Sequence, residues 1–152
     1  MSMDMKKRVL LAIDLDTPDT RAASYAVQLA ARLKLSLVLM AVLPPRPGDP
    51  GDLSLSGLQD EQSLWLGKVR ERCQPEGVDL EIFVAAGLFC EEVLAFARAQ
   101  SSLQFIILGW PEDTHREPYP GCVAALKSLD RQVDGEILLV RAPGKVTRLM
   151  DL

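Results

Sequence analysis

The constraint that bears hardest on this chain is the alternation of short apolar runs with stretches of helical periodicity. Arg8-Val-Leu-Leu-Ala-Ile-Asp14 is apolar between its charged ends, the pattern of a strand covered on both faces. Thr20 to Leu33 follows, with Ala23, Ala26, Val27, Ala30 and Leu33 on one helical face; Asp16-Thr17-Pro18 ahead of it offers a cap and a first-turn proline. Leu35 to Leu43 is a second apolar strand, stopped by Pro44-Pro45. Residues 44–57, rich in proline, glycine, aspartate and serine, read as an exposed loop.

Helical periodicity returns from Leu58 to Gln74, through Leu58, Leu64, Trp65, Val69 and Arg72, and ends at Pro75-Glu76-Gly77. Val78 to Ala86 alternates apolar and acidic residues, which fits a strand near a sheet edge. Gly87 turns into a helix over Leu88 to Gln100, with Leu88, Val93, Leu94 and Ala97 inward. A buried strand at Phe105 to Leu108, a helix at Cys122 to Val133 and a fifth strand at Glu136 to Arg141 complete the pattern; residues 143–152 read as a loose tail. The order β-α-β-α-β-α-β-α-β, without internal repeats, predicts a doubly wound α/β domain: a five-stranded parallel sheet, order 3-2-1-4-5, with helices on both faces. One domain spanning 1–152, with its core at about 8–142, suits a chain of 152 residues.

Composition narrows the class further. A hydrophobic content of 48% with 25% charged residues describes a globular chain. The net charge of −4 and pI near 5.0 argue against a general nucleic-acid binder, and Lys6-Lys7-Arg8 is the only basic run. The apolar run after it, Val9 to Ile13, is shorter than the core of a signal peptide, and no window reaches the roughly 18 apolar residues of a membrane span. Cys73, Cys90 and Cys122 form no close pair, and a single histidine makes a zinc site unexpected. Free thiols in a reducing cytoplasm are the expectation.

In such a sheet a ligand crevice lies outside the carboxyl ends of the strands. The stretch Gln104 to Lys127, which reads as strand, glycine, polar loop and helix, is therefore the expected site. Its loop carries Glu112, Asp113 and Glu117 against Arg116 alone, with His115 mostly neutral and no glycine from 110 to 120. No nucleophile stands beside His115 to make it a catalytic base, so an idle exposed histidine is the favoured reading.

The ordered set of these pieces, over residues 8 to 142, resembles the universal stress protein family. Val9-Leu-Leu-Ala-Ile-Asp14 is similar to the family's first strand and aspartate, and Ala41-Val42 lies where the second strand delivers a valine towards a nucleotide base. Ala86-Gly87 with Glu91-Glu92-Val93-Leu94 resembles the third-strand exit and helix. Phe105-Ile-Ile-Leu-Gly109 and Ile137-Leu-Leu-Val-Arg141 resemble the fourth and last strands. For nucleotide-binding members the resemblance implies contacts from Ala12, Asp14, Val42, Gly109 and Gly121, if a nucleotide such as ATP is bound.

The family's phosphate loop runs Gly, two residues, Gly, nine residues, then Gly-Ser or Gly-Thr, so that backbone N–H groups and a hydroxyl reach the phosphates. Gly109 matches the first position, Glu112 replaces the second glycine, and Gly121-Cys122 falls one residue short with a thiol for the hydroxyl. After Asp14, Leu15-Asp16 replace the Gly-Ser common in the family. Two like charges at about 4 Å repel by roughly 1 kcal/mol in water and about 4 kcal/mol at a partly buried site, so Glu112 opposes a triphosphate. A magnesium ion bridging acid to phosphate would reverse that sign.

Several residues keep more than one reading. Asp14 either contacts a ribose or adenine edge, or caps the following turn. Gly109 either admits a ligand or permits a tight strand exit. Trp110 either fills the crevice, stacks on a base, or marks a partner surface, the first being preferred. Cys122 is either a reactive thiol at a helix N-terminus or, preferably, an inert one. Glu91 and Glu92 diverge on a helix and read as first-turn charges favouring its dipole. The chain is thus expected to be a non-enzymatic, stress-related regulatory or interaction domain with a degenerate nucleotide site, dimerising through Ile137, Leu138, Leu139 and Val140. An ATP- or AMP-binding switch with at most slow hydrolysis is the alternative, and an unrelated α/β enzyme is the weakest of the three.

Overall fold

The computed structural model describes residues 7–44, 60–100, 102–110, 122–131, 135–141 and 145–148. Its elements are β1 (Arg8–Asp14), α1 (Thr20–Leu33), β2 (Ser36–Leu43), α2 (Asp60–Glu76), β3 (Leu80–Ala86), α3 (Phe89–Ala99), β4 (Leu103–Trp110), α4 (Cys122–Asp130), β5 (Glu136–Arg141) and β6 (Lys145–Arg148). One sheet contains them in the order β3-β2-β1-β4-β5-β6. The first five strands are parallel as the sequence predicts, and β6 runs antiparallel to β5. The sheet is therefore mixed and six-stranded rather than purely parallel and five-stranded.

Strand periodicity divides the core. Val9, Leu11, Ile13, Leu37, Leu39, Ala41 and Ile107 pack on one face with buried residues of α1 and α2. Leu10, Ala12, Val38, Met40, Val42, Ile106 and Leu108 pack on the other with residues of α3 and α4. Helix α1 lies close to the sheet because Ala22, Ala23, Ala26 and Ala30 present only methyl groups there. Leu33, expected on that face, is 42% exposed. In α2 the buried positions are Gln62, Leu66, Val69 and Cys73, so the face expected through Leu64 and Arg72 is out of phase, and Leu64 is 62% exposed. In α3 Phe89 is buried in place of Leu88, which stands as an exposed N-cap.

Helices α1 and α2 end by the same device. The N–H groups of Gly77 and Val78 bond the carbonyls of Gln74 and Cys73 at 3.2 and 3.1 Å, with Gly77 at φ +67°. The N–H groups of Lys34 and Leu35 bond Ala31 and Ala30 at 3.4 and 2.9 Å, but Lys34 occupies the left-handed region at φ 57° with a side chain. Glycine bears that conformation without the Cβ clash. Lys34→Gly is therefore expected to stabilise the fold by about 0.5 to 1 kcal/mol, read as a raised urea midpoint with unchanged slope.

Strand β6 corrects two expectations. The segment beyond Arg141 contains four residues of ordered strand, with Leu138 opposite Arg148, Val140 opposite Val146, and an Arg148–Glu136 ion pair of 2.9 Å. The outer main-chain edge of β5, expected to receive a second copy through Ile137 to Val140, is occupied by β6 of the same chain. Residues 45–59 and 149–152, including most of the expected 44–57 loop, lie outside the described residues.

Candidate functional site

Strand β1 has β2 on one side and β4 on the other. At this reversal of strand order a cavity of about 420 Å³ opens beyond the carboxyl ends of β1 and β4. It is lined by Ala12, Ile13 and Asp14 of β1, Thr17 and Pro18 of the following turn, Asp19, Thr20 and Arg21 at the start of α1, Phe89 of α3 and Gly109 of β4.

Asp14 ends β1, and its carboxylate Oδ1 accepts a 2.9 Å hydrogen bond from the Asp16 N–H while its carbonyl accepts one from Thr17 at 3.1 Å. It therefore shapes the turn and lines the cavity at once. The true N-cap of α1 is Asp19, not the Asp16-Thr17-Pro18 group: its Oδ1 accepts the Ala22 N–H at 3.0 Å, and its carbonyl accepts the Ala23 N–H at 3.1 Å. The same side chain lies across Gly109. A Cβ at position 109 would sit 2.7 Å from both Cβ and Cγ of Asp19 and still nearer Oδ2. Glycine at 109 is thus required by a contact within the chain.

Helix α2 holds this turn from behind. The Gln62 amide donates to the Leu15 carbonyl at 3.3 Å, which accounts for a buried glutamine, and the Trp65 indole N–H donates to Thr20 Oγ1 at 3.2 Å. Arg72 donates to Ser24 one turn further along. Thr20 therefore belongs to the cavity wall and to the α1–α2 contact together.

Of the residues expected around a nucleotide, the structure brings Ala12, Asp14 and Gly109 to one cavity. Val42 is fully buried in β2, where its carbonyl accepts the Leu15 N–H at 2.9 Å, and it does not line the cavity. Gly121 lies outside the described residues, as do Glu112, Asp113, His115, Arg116 and Glu117. Trp110 closes β4 opposite Arg141, and Cys122 opens α4; the surroundings of their side chains also lie outside the described residues. Thr17, Asp19, Thr20, Arg21 and Phe89 were not expected at the site from sequence. A lone Asp before a helical run is a cap signal, and it is the only one of these with a local signature.

Glu91 and Glu92 occupy the first turn of α3 as expected. Glu92 also folds back over Gly87, which has φ +152° and would place a Cβ 2.9 Å from Glu92 Cγ. Cys73 is buried in the core, and burial pushes its thiol above the usual range against a smaller opposing effect of the Arg70 charge. That is the behaviour of an inert thiol.

Among the described residues no helix is long and apolar enough to cross a membrane, and no group of three or more potential metal ligands is found. A search of curated protein sequences finds no match. Among solved structures, the fold is similar to the universal stress protein UspA from Lactobacillus plantarum, with a TM-score of 0.60 and 19% identity over 88% of this chain and 97% of that one. A universal stress protein family member from Burkholderia pseudomallei gives a TM-score of 0.57 at 19% identity, covering 91% and 98% of the two chains. A universal stress protein in complex with cAMP gives 0.55 at 18% identity, covering 88% and 96%. These likenesses carry the fold. The family model of the universal stress proteins matches residues 5–117, through β1 to β4 and the cavity they bear, and the chain belongs to the universal stress protein family.

Proposed function

We propose that this chain is a non-enzymatic, stress-related regulatory or interaction domain of the cytoplasm whose crevice does not hold ATP tightly. The observation that carries the reading is the Asp19 carboxylate lying over Gly109, where a phosphate would have to approach the β4 backbone. Asp14 adds a second carboxylate to the same cavity, and Arg21 is the one cation on its described wall. The described lining also pairs no activated nucleophile with a base.

A nucleotide-binding switch is favoured by one observation: a cavity stands at the strand-order reversal of a fold whose relatives include a cAMP complex. Calorimetric titration of ATP, with and without magnesium, separates the two on wild type and Glu112→Gly. The proposal expects no micromolar binding by wild type and a gain on removing Glu112. Micromolar binding by wild type would overturn it.

A further inference from the structure

Resting on that reading of the crevice, we infer that Asp19 makes the cavity selective by charge, so that it takes a phosphate-free, hydroxyl-bearing ring compound of nucleoside size. The Asp19 carboxylate is fixed at two points. Oδ1 caps α1 through Ala22, and the rest of the group fills the space over Gly109. It cannot turn away from an arriving anion without uncapping the helix. One of the first-turn N–H groups that an anion would seek at this helix end, that of Ala22, is already bonded to Asp19 itself.

What remains suits an uncharged ligand. The cavity, about 420 Å³, lies within the roughly 300–1,000 Å³ typical of small-molecule sites. Phe89 and Pro18 supply apolar surface for a ring, while Thr17 and Asp14 supply oxygens that accept hydrogen bonds from sugar-type hydroxyls. Two carboxylates against the single Arg21 guanidinium leave the described wall negative in sum. A phosphate therefore loses where a free hydroxyl gains.

The test titrates adenosine, AMP and ATP into the full chain by calorimetry, on wild type and Asp19→Asn. Asparagine keeps the N-cap and removes the charge, so folding is preserved. Wild type is expected to bind adenosine about a thousandfold more tightly than AMP, as two like unit charges in a partly buried site imply. In Asp19→Asn the adenosine affinity should stay within about threefold while the gap to AMP closes to less than about tenfold. Failure of adenosine to bind, equal binding of adenosine and AMP by wild type, or a gap unchanged in Asp19→Asn would each overturn the inference while leaving the ATP-poor crevice standing. Tight ATP binding by wild type would instead remove the reading on which it rests.

Discussion

Replacing Leu39 by alanine is expected to destabilise the fold by about 3 to 4 kcal/mol, the cost of lost burial plus an unfilled cavity. Leu39 is fully buried in β2, between Leu11 of β1 and Ile82 of β3, and packs towards α1 and α2. Its neighbours on both sides are strands fixed by parallel pairing, so the site collapses little when the side chain is cut back. Leu64→Ala removes the same atoms from a residue that is 62% exposed on α2, and should change stability by less than about 0.5 kcal/mol. Urea unfolding of the pair checks the contrast. Similar losses at the two positions would mean that Leu64 is packed in the core rather than exposed on α2.

Gly109→Ala should cost about 3 kcal/mol for the addition of one methyl group. Overpacking accounts for about 1 to 3 kcal/mol of this, and strain on the α1 cap for about 1 kcal/mol more. The new Cβ would meet Cβ and Cγ of Asp19 at 2.7 Å, atoms too near the main chain to swing aside. The diagnostic result is non-additivity. In Asp19→Gly the atoms that meet the new Cβ are removed while the N-cap position still tolerates the residue, so Gly109→Ala in that background should cost at least about 1 kcal/mol less than in wild type. Additive losses would show that the two residues do not touch.

Much of the architecture was legible because each central strand is an apolar run with no competing reading. Val9 to Ile13 and Phe105 to Leu108 need cover on both faces, and helices supply it. The α2 phase was not legible, since a glutamine sits on its buried face and the amide is satisfied only by the distant Leu15 carbonyl. Strand β6 was missed because its four residues, Lys-Val-Thr-Arg, follow Pro143-Gly144 and contain one large apolar side chain. For the site, Asp14, Ala12 and Gly109 were found through the family pattern. Asp19 was not, because its significance lies in a contact with Gly109 that is ninety positions away in the chain and leaves no local trace. Val42 was placed by its strand, but only the structure shows it fully buried and away from the cavity wall.

The central position of β1 also sets an order of events during synthesis. Strands β1, β2 and β3 are consecutive neighbours, so half the sheet can pair once residue 86 has left the ribosome. The other side of β1 must wait for β4, whose Leu103 pairs with Arg8 across nearly a hundred residues of chain. Closing so long a loop is slow in kinetic terms, and until it closes Leu10 and Ala12 lack their β4 neighbours Ile106 and Leu108. The β4-facing edge of β1 is therefore the side of that strand whose partner is synthesised last.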